Sequence, residues 1–435
     1  MKFKFLKTVA AVAALAMAMG PETSGQSGKT GYYKDIFMDS GIMMNKREDL
    51  PAARLLNLTM ERICTQENMD TNAVTAYDRQ RQAEKFVGSP VDENGVMLYP
   101  DGAPRFRLYY MNGGKGTAHG KSVTPQGLAN LKQFNAGGGS VVGTCAGAFI
   151  ASMGTTKDSV GVDNPAYLGV YKGYTNTTLL YKTYTSLSVE KGSPLLKYYD
   201  FGGDMKIDSV RHNGGCFLPR EKPEGTEILL RYDCDTLEHV PDIRDRVNAW
   251  AYKESDAKGR VVLTGSHPEA IDRGDQLQMF AAMIRYAIDG NGSPALKAEL
   301  ENGVERVMSC YTHDGDPSHT RIGDRQYHHF CIKVPAKAKS VKIDLGSVGG
   351  QKDYDLYLYT SDSGLAFDSI ATAFNIAKGV DKTITVPAPK SGKLYVSVYC
   401  DTTVETVETI YGEQYVGRTD VLNGVPYTIK ATVQR

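Results

Sequence analysis

Apolar residues recur with two alternating periods over the first two thirds of the chain, and with a single period over the last quarter. "KDIFMDSGI" (34–42), "RFRLYYM" (105–111), "SVVGT" (140–144) and "GRVVLTG" (259–265) are short apolar runs of strand length. Between them, "LPAARLLNLTMERI" (50–63), "TPQGLANLKQF" (124–134) and "GDQLQMFAAMIRYAID" (274–289) carry apolar residues at helical spacing. Thr124 and Pro125 read as the N-cap and first helical residue of the second of these. Strands alternating with helices predict an α/β domain with a mainly parallel sheet. The Tyr- and Gly-rich middle, about 155–245, follows neither period.

After "GNGSP" (290–294) the texture changes. "HHFCIKV", "SVKIDLG", "DYDLYLYT", "KTITVPA", "KLYVSVYC" and "PYTIKATVQ" are short alternating runs separated by turn residues. They predict an all-β sandwich. The expected organisation is an α/β domain over 32–291, a linker over 292–321 and a β-sandwich over 322–435.

Composition narrows the function classes. Lys+Arg and Asp+Glu both number 50, so the formal net charge is zero. No bulk charge draws the chain to nucleic acid or to an anionic membrane. The start, "MKFKFLKTVAAVAALAMAMG", is basic and then apolar from Thr8 to Met19, too short for a membrane span. It predicts a signal peptide over 1–18, cleaved after Ala18, and a flexible leader over 19–31. The protein is therefore expected to be exported, periplasmic or secreted. The 7 cysteines leave at least one thiol unpaired. Cys216 and Cys234 are candidates for a disulfide on turn-separated strands.

"NGGKGTAHGKS" (112–122) ends like a phosphate-binding loop but fails its spacing. Counting back from Gly120-Lys121-Ser122, the first required glycine falls at Lys115. Gly113 and Gly114, at the end of a strand, need another explanation. "SVVGTCAGAFIAS" supplies one. It sets Cys145 at a strand-to-helix turn, the arrangement of a nucleophile elbow. The helix start beside the sulfur favours the thiolate, and the N–H of Ala146 is placed for an oxyanion. A second oxyanion donor then belongs at Gly114, where small residues let the backbone approach. In "GSHPEA", His267 and Glu269 are two apart and share one side of an extended segment. Pro268 biases His267 toward that conformation. His267 reads as the base and Glu269 as the group that orients it. Gly113, Asn213 and Gly214 are candidates to line the pocket, and His212 reads as a supporting loop residue. His313, His319, His328 and His329 lack metal-ligand spacing, and no metal site is expected.

These motifs resemble the class I glutamine amidotransferase-like superfamily. "GTCAGA", "GSHPEA", "NGG", "RHNGGCF" and "NPAYLGV" are most similar to its biotin–protein ligase N-terminal domain branch. The resemblance spans about 32–290 and implies a flavodoxin-like fold with Cys145 as nucleophile, His267 as base and Glu269 as orienter. It implies oxyanion donors at Gly114 and Ala146. The tail, in "DRQYHHFCIKV", "DYDLYLY", "GKLYVSVYC" and "GVPYTIKATV", resembles the bacterial pre-peptidase C-terminal domain. In that domain Cys331 and Cys400 are candidates for a bridge, and Asp353 and Asp355 read as a solvated face rather than a calcium site.

The leading expectation is an exported cysteine hydrolase that cleaves an amide bond, in a peptide or a side-chain carboxamide, through a thioester. It calls for no cofactor. Its partner is an amide or peptide substrate, such as a cell-surface polymer or protein. The alternative is a non-catalytic ligand-binding protein that keeps the amidotransferase-like fold. A third reading, a redox sensor or chaperone, needs a reactive Cys145 that ignores His267 and Glu269.

Overall fold

A computed structural model describes residues 29–39, 50–63, 85–89, 92–157, 159–234, 242–350, 353–409 and 412–435. The expected signal peptide, most of the leader and Cys64 lie outside these residues. No helix among the described residues is long and apolar enough to cross a membrane.

Five parallel strands form the centre of the first unit: β1 (Lys34–Asp39), β2 (Met60–Ile63), β3 (Phe106–Met111), β4 (Ser140–Thr144) and the later Val261–Thr264. Counted in chain order they lie 2-1-3-4-5 across the sheet, the flavodoxin order. The illegible middle supplies β5 (Gly154–Lys157), β6 (Val160–Asp163), β7 (Tyr174–Val189), β8 (Lys206–Phe217), β9 (Thr226–Asp233) and β10 (Val247–Tyr252). These continue the sheet from Val261–Thr264, which is β11, mostly by antiparallel pairing. The sheet is thus mixed, parallel at its centre and mostly antiparallel beyond β11, where only β5 against β7 is parallel among the described pairings.

The helices are α1 (Pro51–Leu55), α2 (Gly116–Ser122), α3 (Thr124–Ala136), α4 (Ala146–Ala151) and α5 (Gly274–Ile288). The helix read over 50–63 is cut short. Asn57, at φ +52°, ends α1 in the left-handed region, and the chain turns into β2 beside β1. The stretch before Thr124 is itself helical, as α2, so Gly120-Lys121-Ser122 closes a helix rather than opening one. Thr124, at φ +69°, still accepts the Gly127 N–H through Oγ1 at 3.3 Å. Helices α3 and α4 bury Leu128, Leu131, Phe134 and Ile150 on one face of the sheet, and α5 buries Met279, Phe280 and Ile284 on the other.

The expected linker is not one. Residues 292–321 contain β12 (Leu296–Glu299) and β13 (Glu305–Met308), each an outer strand of one sandwich sheet. The sandwich also holds β14 (Tyr327–Val334), β15 (Ser340–Ser347), β16 (Leu356–Ser361), β17 (Ala373–Asn375), β18 (Lys382–Pro387) and β19 (Gly392–Cys400). Strands β20 (Glu405–Thr409) and β21 (Gly412–Gly417) leave it and join the edge of the α/β sheet at β2, before β22 (Tyr427–Gln434) returns. The apolar core on the α3 face runs on into the sandwich without a break.

Buried charge crosses the same boundary. Arg105 donates from Nε and Nη2 to the two carboxylate oxygens of Asp324, each at 2.8 Å, and from Nη1 to the Tyr415 hydroxyl at 3.0 Å. Lys85 donates to Glu61 at 2.9 Å, and Tyr415 donates to Glu61 at 3.0 Å.

Neither expected disulfide forms. Cys216, Cys331 and Cys400 carry free thiols. Cys331 faces Tyr395 and Cys400 faces Leu356, so register keeps them apart. Cys216 faces Thr177 near one end of β7, whereas Cys234 follows Asp233, which faces Ser186 near the other. His328 and His329 are buried on β14 against Tyr427 and Ser397, at 2.8 and 2.7 Å.

Candidate active site

The parallel strands end together, and their carboxyl ends are where open α/β sheets bind ligands. Three of those ends bring the predicted residues together. Gly113 and Gly114 follow β3, Cys145 follows β4, and His267 and Glu269 follow β11. Adjacency of β3, β4 and β11 in the sheet makes this convergence a matter of topology.

Cys145 stands between a buried strand and α4 with φ +48° and ψ −107°. A side chain at such angles costs on the order of 1–3 kcal/mol, held in place by the surrounding structure. The Cys145 N–H donates to Thr264 O on β11 at 2.9 Å, which locks the turn to the neighbouring strand. The thiol is largely buried and lies 3.9 Å from the carbonyl of Asn213.

His267 Nδ1 and Glu269 Oε1 are 2.8 Å apart. Burial pulls the imidazole down, but interactions with Cys145 and Glu269 outweigh it and hold His267 up to about 10. Its Nε2 and the second carboxylate oxygen of Glu269 are both buried without a hydrogen-bond partner. Such atoms are costly unless something in the working protein meets them.

Gly113 closes the arrangement. A Cβ built there would lie 2.4 Å from His267 Cε1 and 3.3 Å from Cys145 Cβ. Gly113 is therefore needed for close approach to the imidazole and the thiol residue. Gly113→Ala is expected to displace the imidazole and destabilise the fold by about 1–3 kcal/mol through overpacking. Denaturant titration reads this as a lower midpoint; an unchanged midpoint means the loop has room that the contact distances deny. Ala146 is the first residue of α4, beside the sulfur, and Gly114 is the next residue along from Gly113.

His212 lies in strand β8 rather than in a loop, and is fully buried. Thr185 Oγ1 is 2.7 Å from its Nε2 and Ser266 Oγ is 3.4 Å from its Nδ1. Burial, then the nearby His267, lowers it to about 3. Neutral at ordinary pH, it braces the residue before His267. Asn213 and Gly214 follow on the same strand and are half-buried at the thiol.

Several polar residues escaped the sequence reading. His119 on α2 and Asp39 at the end of β1 form a fully buried pair at 2.6 Å, and the Tyr109 hydroxyl donates to the same Asp39 oxygen at 3.0 Å. Tyr110 OH lies 3.1 Å from Asn112 Oδ1 and 3.0 Å from Thr144 Oγ1, behind the loop and the elbow. The visible signal was slight: a carboxylate closing an apolar run, and an Asn before Gly-Gly.

Comparison with known proteins agrees with both units. Residues 103–283 match the family model "Biotin-protein ligase, N terminal", and residues 326–399 match "Bacterial pre-peptidase C-terminal domain". Among solved structures, the chain is similar to a GMP synthase subunit from Thermoplasma acidophilum, at 12% identity and TM-score 0.32. That likeness covers 59% of this chain and 94% of the other. It is also similar to the pre-peptidase C-terminal domain of a collagenase from Bacillus anthracis, at 14% identity and TM-score 0.19, over 32% of this chain and 100% of the other. No curated protein matches.

Proposed function

We propose that the protein is an exported cysteine hydrolase that cleaves an amide bond through Cys145, His267 and Glu269. The observation that carries the reading is the juxtaposition of a backbone-strained cysteine with an imidazole that a carboxylate holds at 2.8 Å. Export is supported by the basic and apolar start of the chain and by the pre-peptidase C-terminal match, a domain typical of bacterial extracellular proteins.

In this mechanism Cys145 passes its thiol proton to His267, and the sulfur attacks the substrate carbonyl. A C–S bond forms, and the carbonyl oxygen takes up the electron pair of its π bond. The N–H groups of Gly114 and Ala146 stabilise that oxyanion. The tetrahedral intermediate collapses, the C–N bond breaks, and His267 gives its proton to the leaving amine. A thioester remains. Water, deprotonated by His267, attacks it, releasing a carboxylic acid and returning the thiol. Glu269 fixes the imidazole tautomer and stabilises its charge.

Proton linkage has a definite sign here. His267 is raised from 6.5 to about 10, so between those values only the folded protein holds the proton. The stability this contributes is full below about 6.5 and lost as pH rises through about 10.

The test is the rate of iodoacetamide alkylation of Cys145 against pH, read by mass spectrometry. Fast alkylation well below the ordinary thiol value of about 8.5 is expected in the wild type, and its loss in His267→Ala. Glu269→Gln is expected to lower the titration midpoint of His267, read by NMR. A Cys145 that reacts equally without His267 removes the main support for hydrolysis and turns the search to a ligand.

A further inference from the structure

Strand β8 passes three features of the site in order. The Arg211 carbonyl accepts the His267 N–H at 3.0 Å, the Asn213 carbonyl lies 3.9 Å from the Cys145 sulfur, and Gly214 lies beside the Tyr181 ring. A Cβ placed on Gly214 would be 3.6 Å from Tyr181 Cε1, an ordinary contact distance. Tyr181 is therefore met along β8 just past the Asn213 carbonyl at the thiol, in the direction away from the Arg211 carbonyl that holds the His267 backbone.

Tyr181 is 65% exposed and Leu179, two residues before it, is 39% exposed. Two exposed large apolar side chains this close in sequence, on the strand that pairs with β8, are a costly arrangement unless something covers them. The backbone reinforces the point. Pairing of β7 with β8 shifts register between Thr177 and Leu180 and again between Leu180 and Thr183. Leu179 and Lys182 take left-handed angles at these bulges, φ +59° and +48°. Bulges beside active sites re-aim side chains, and these two bracket Tyr181.

In the mechanism above His267 protonates the leaving amine, so the amine portion lies toward the imidazole and the acyl portion on the other side. We infer that Tyr181 and Leu179 form the wall that receives the acyl-side residue, and that the substrate is a peptide with an aromatic or large aliphatic side chain at that residue. The inference rests on the hydrolase reading and names the substrate class for it.

The probes are the chloromethyl ketones of N-acetylphenylalanine and N-acetylglycine, which alkylate a thiol with loss of chloride. Labelling of Cys145 is followed by mass spectrometry in the full chain. Wild type is expected to favour the phenylalanine probe by about tenfold or more in second-order rate. Tyr181→Ser combined with Leu179→Asn is expected to bring the ratio near one, with the iodoacetamide rate unchanged. Asn tolerates the left-handed angle at 179, so the bulge survives. Tyr184→Ser, at the exposed ring opposite Arg211, is expected to keep the preference. A wild-type ratio near one, or one that the double variant leaves unchanged, overturns the inference while His267-dependent alkylation keeps the hydrolase reading. Alkylation without His267 dependence removes both.

Discussion

Cys145→Ala is expected to abolish amide hydrolysis, with kcat falling on the order of 10⁶-fold, while the protein stays folded. The size follows from the division of labour. Without sulfur no thioester forms, and the backbone donors at Gly114 and Ala146 are left to act on a carbonyl that nothing attacks. Alanine keeps the backbone that the elbow requires and removes one buried atom, so the fold should tolerate it. His267→Ala is expected to cost nearly as much, and Glu269→Gln less, on the order of 10⁴-fold, because a misplaced imidazole still exists. Combining Cys145→Ala with His267→Ala should add little, since the residues act as a unit. Hydrolysis that survives in Cys145→Ala would sink the proposed mechanism outright.

Arg105→Leu is expected to destabilise the protein by about 3–5 kcal/mol, measured by denaturant titration. Arg105 and Asp324 are both essentially inaccessible to solvent. Removing the guanidinium leaves the carboxylate buried, with the Thr403 hydroxyl at 3.2 Å as a weak replacement. It also takes a cation from the face of Tyr33, whose ring centre lies 3.7 Å from it. Adding Asp324→Leu should restore part of the loss, because two apolar groups of suitable size replace the pair without stranding a charge. Equal stability of wild type and Arg105→Leu would mean that water reaches Asp324 and the boundary between the units is open.

The parts of the molecule legible in the sequence were those whose logic is local. The Cys145 turn needs a buried strand, a small-residue helix start and nothing distant. His267-Pro268-Glu269 fits within three residues. The α5 and α3 periods survive because each helix lies against one sheet face. Local logic failed where pairing is distant. His119 and Asp39 are 80 residues apart, and buried polar residues look like exposed ones until their partners are found. The strand β2 hid in a helical pattern, because its apolar positions serve a sheet buried on both faces. With three register shifts against β8, β7 keeps no simple alternation, so 155–245 gave no period to read. The supposed linker hid two strands too short, at 4 residues each, to stand out from a turn-rich stretch.

The seating of β21 against β2 joins Ile63 to Gly412. Ribosomes deliver the chain from its amino end, so the α/β sheet waits, edge open, through most of synthesis for its last neighbour. Asp324, which neutralises Arg105, also arrives late. Contacts this distant in sequence slow folding, and an unfinished edge invites pairing with the wrong strand. A polypeptide that cannot close until its tail emerges leaves the ribosome before its sheet is complete.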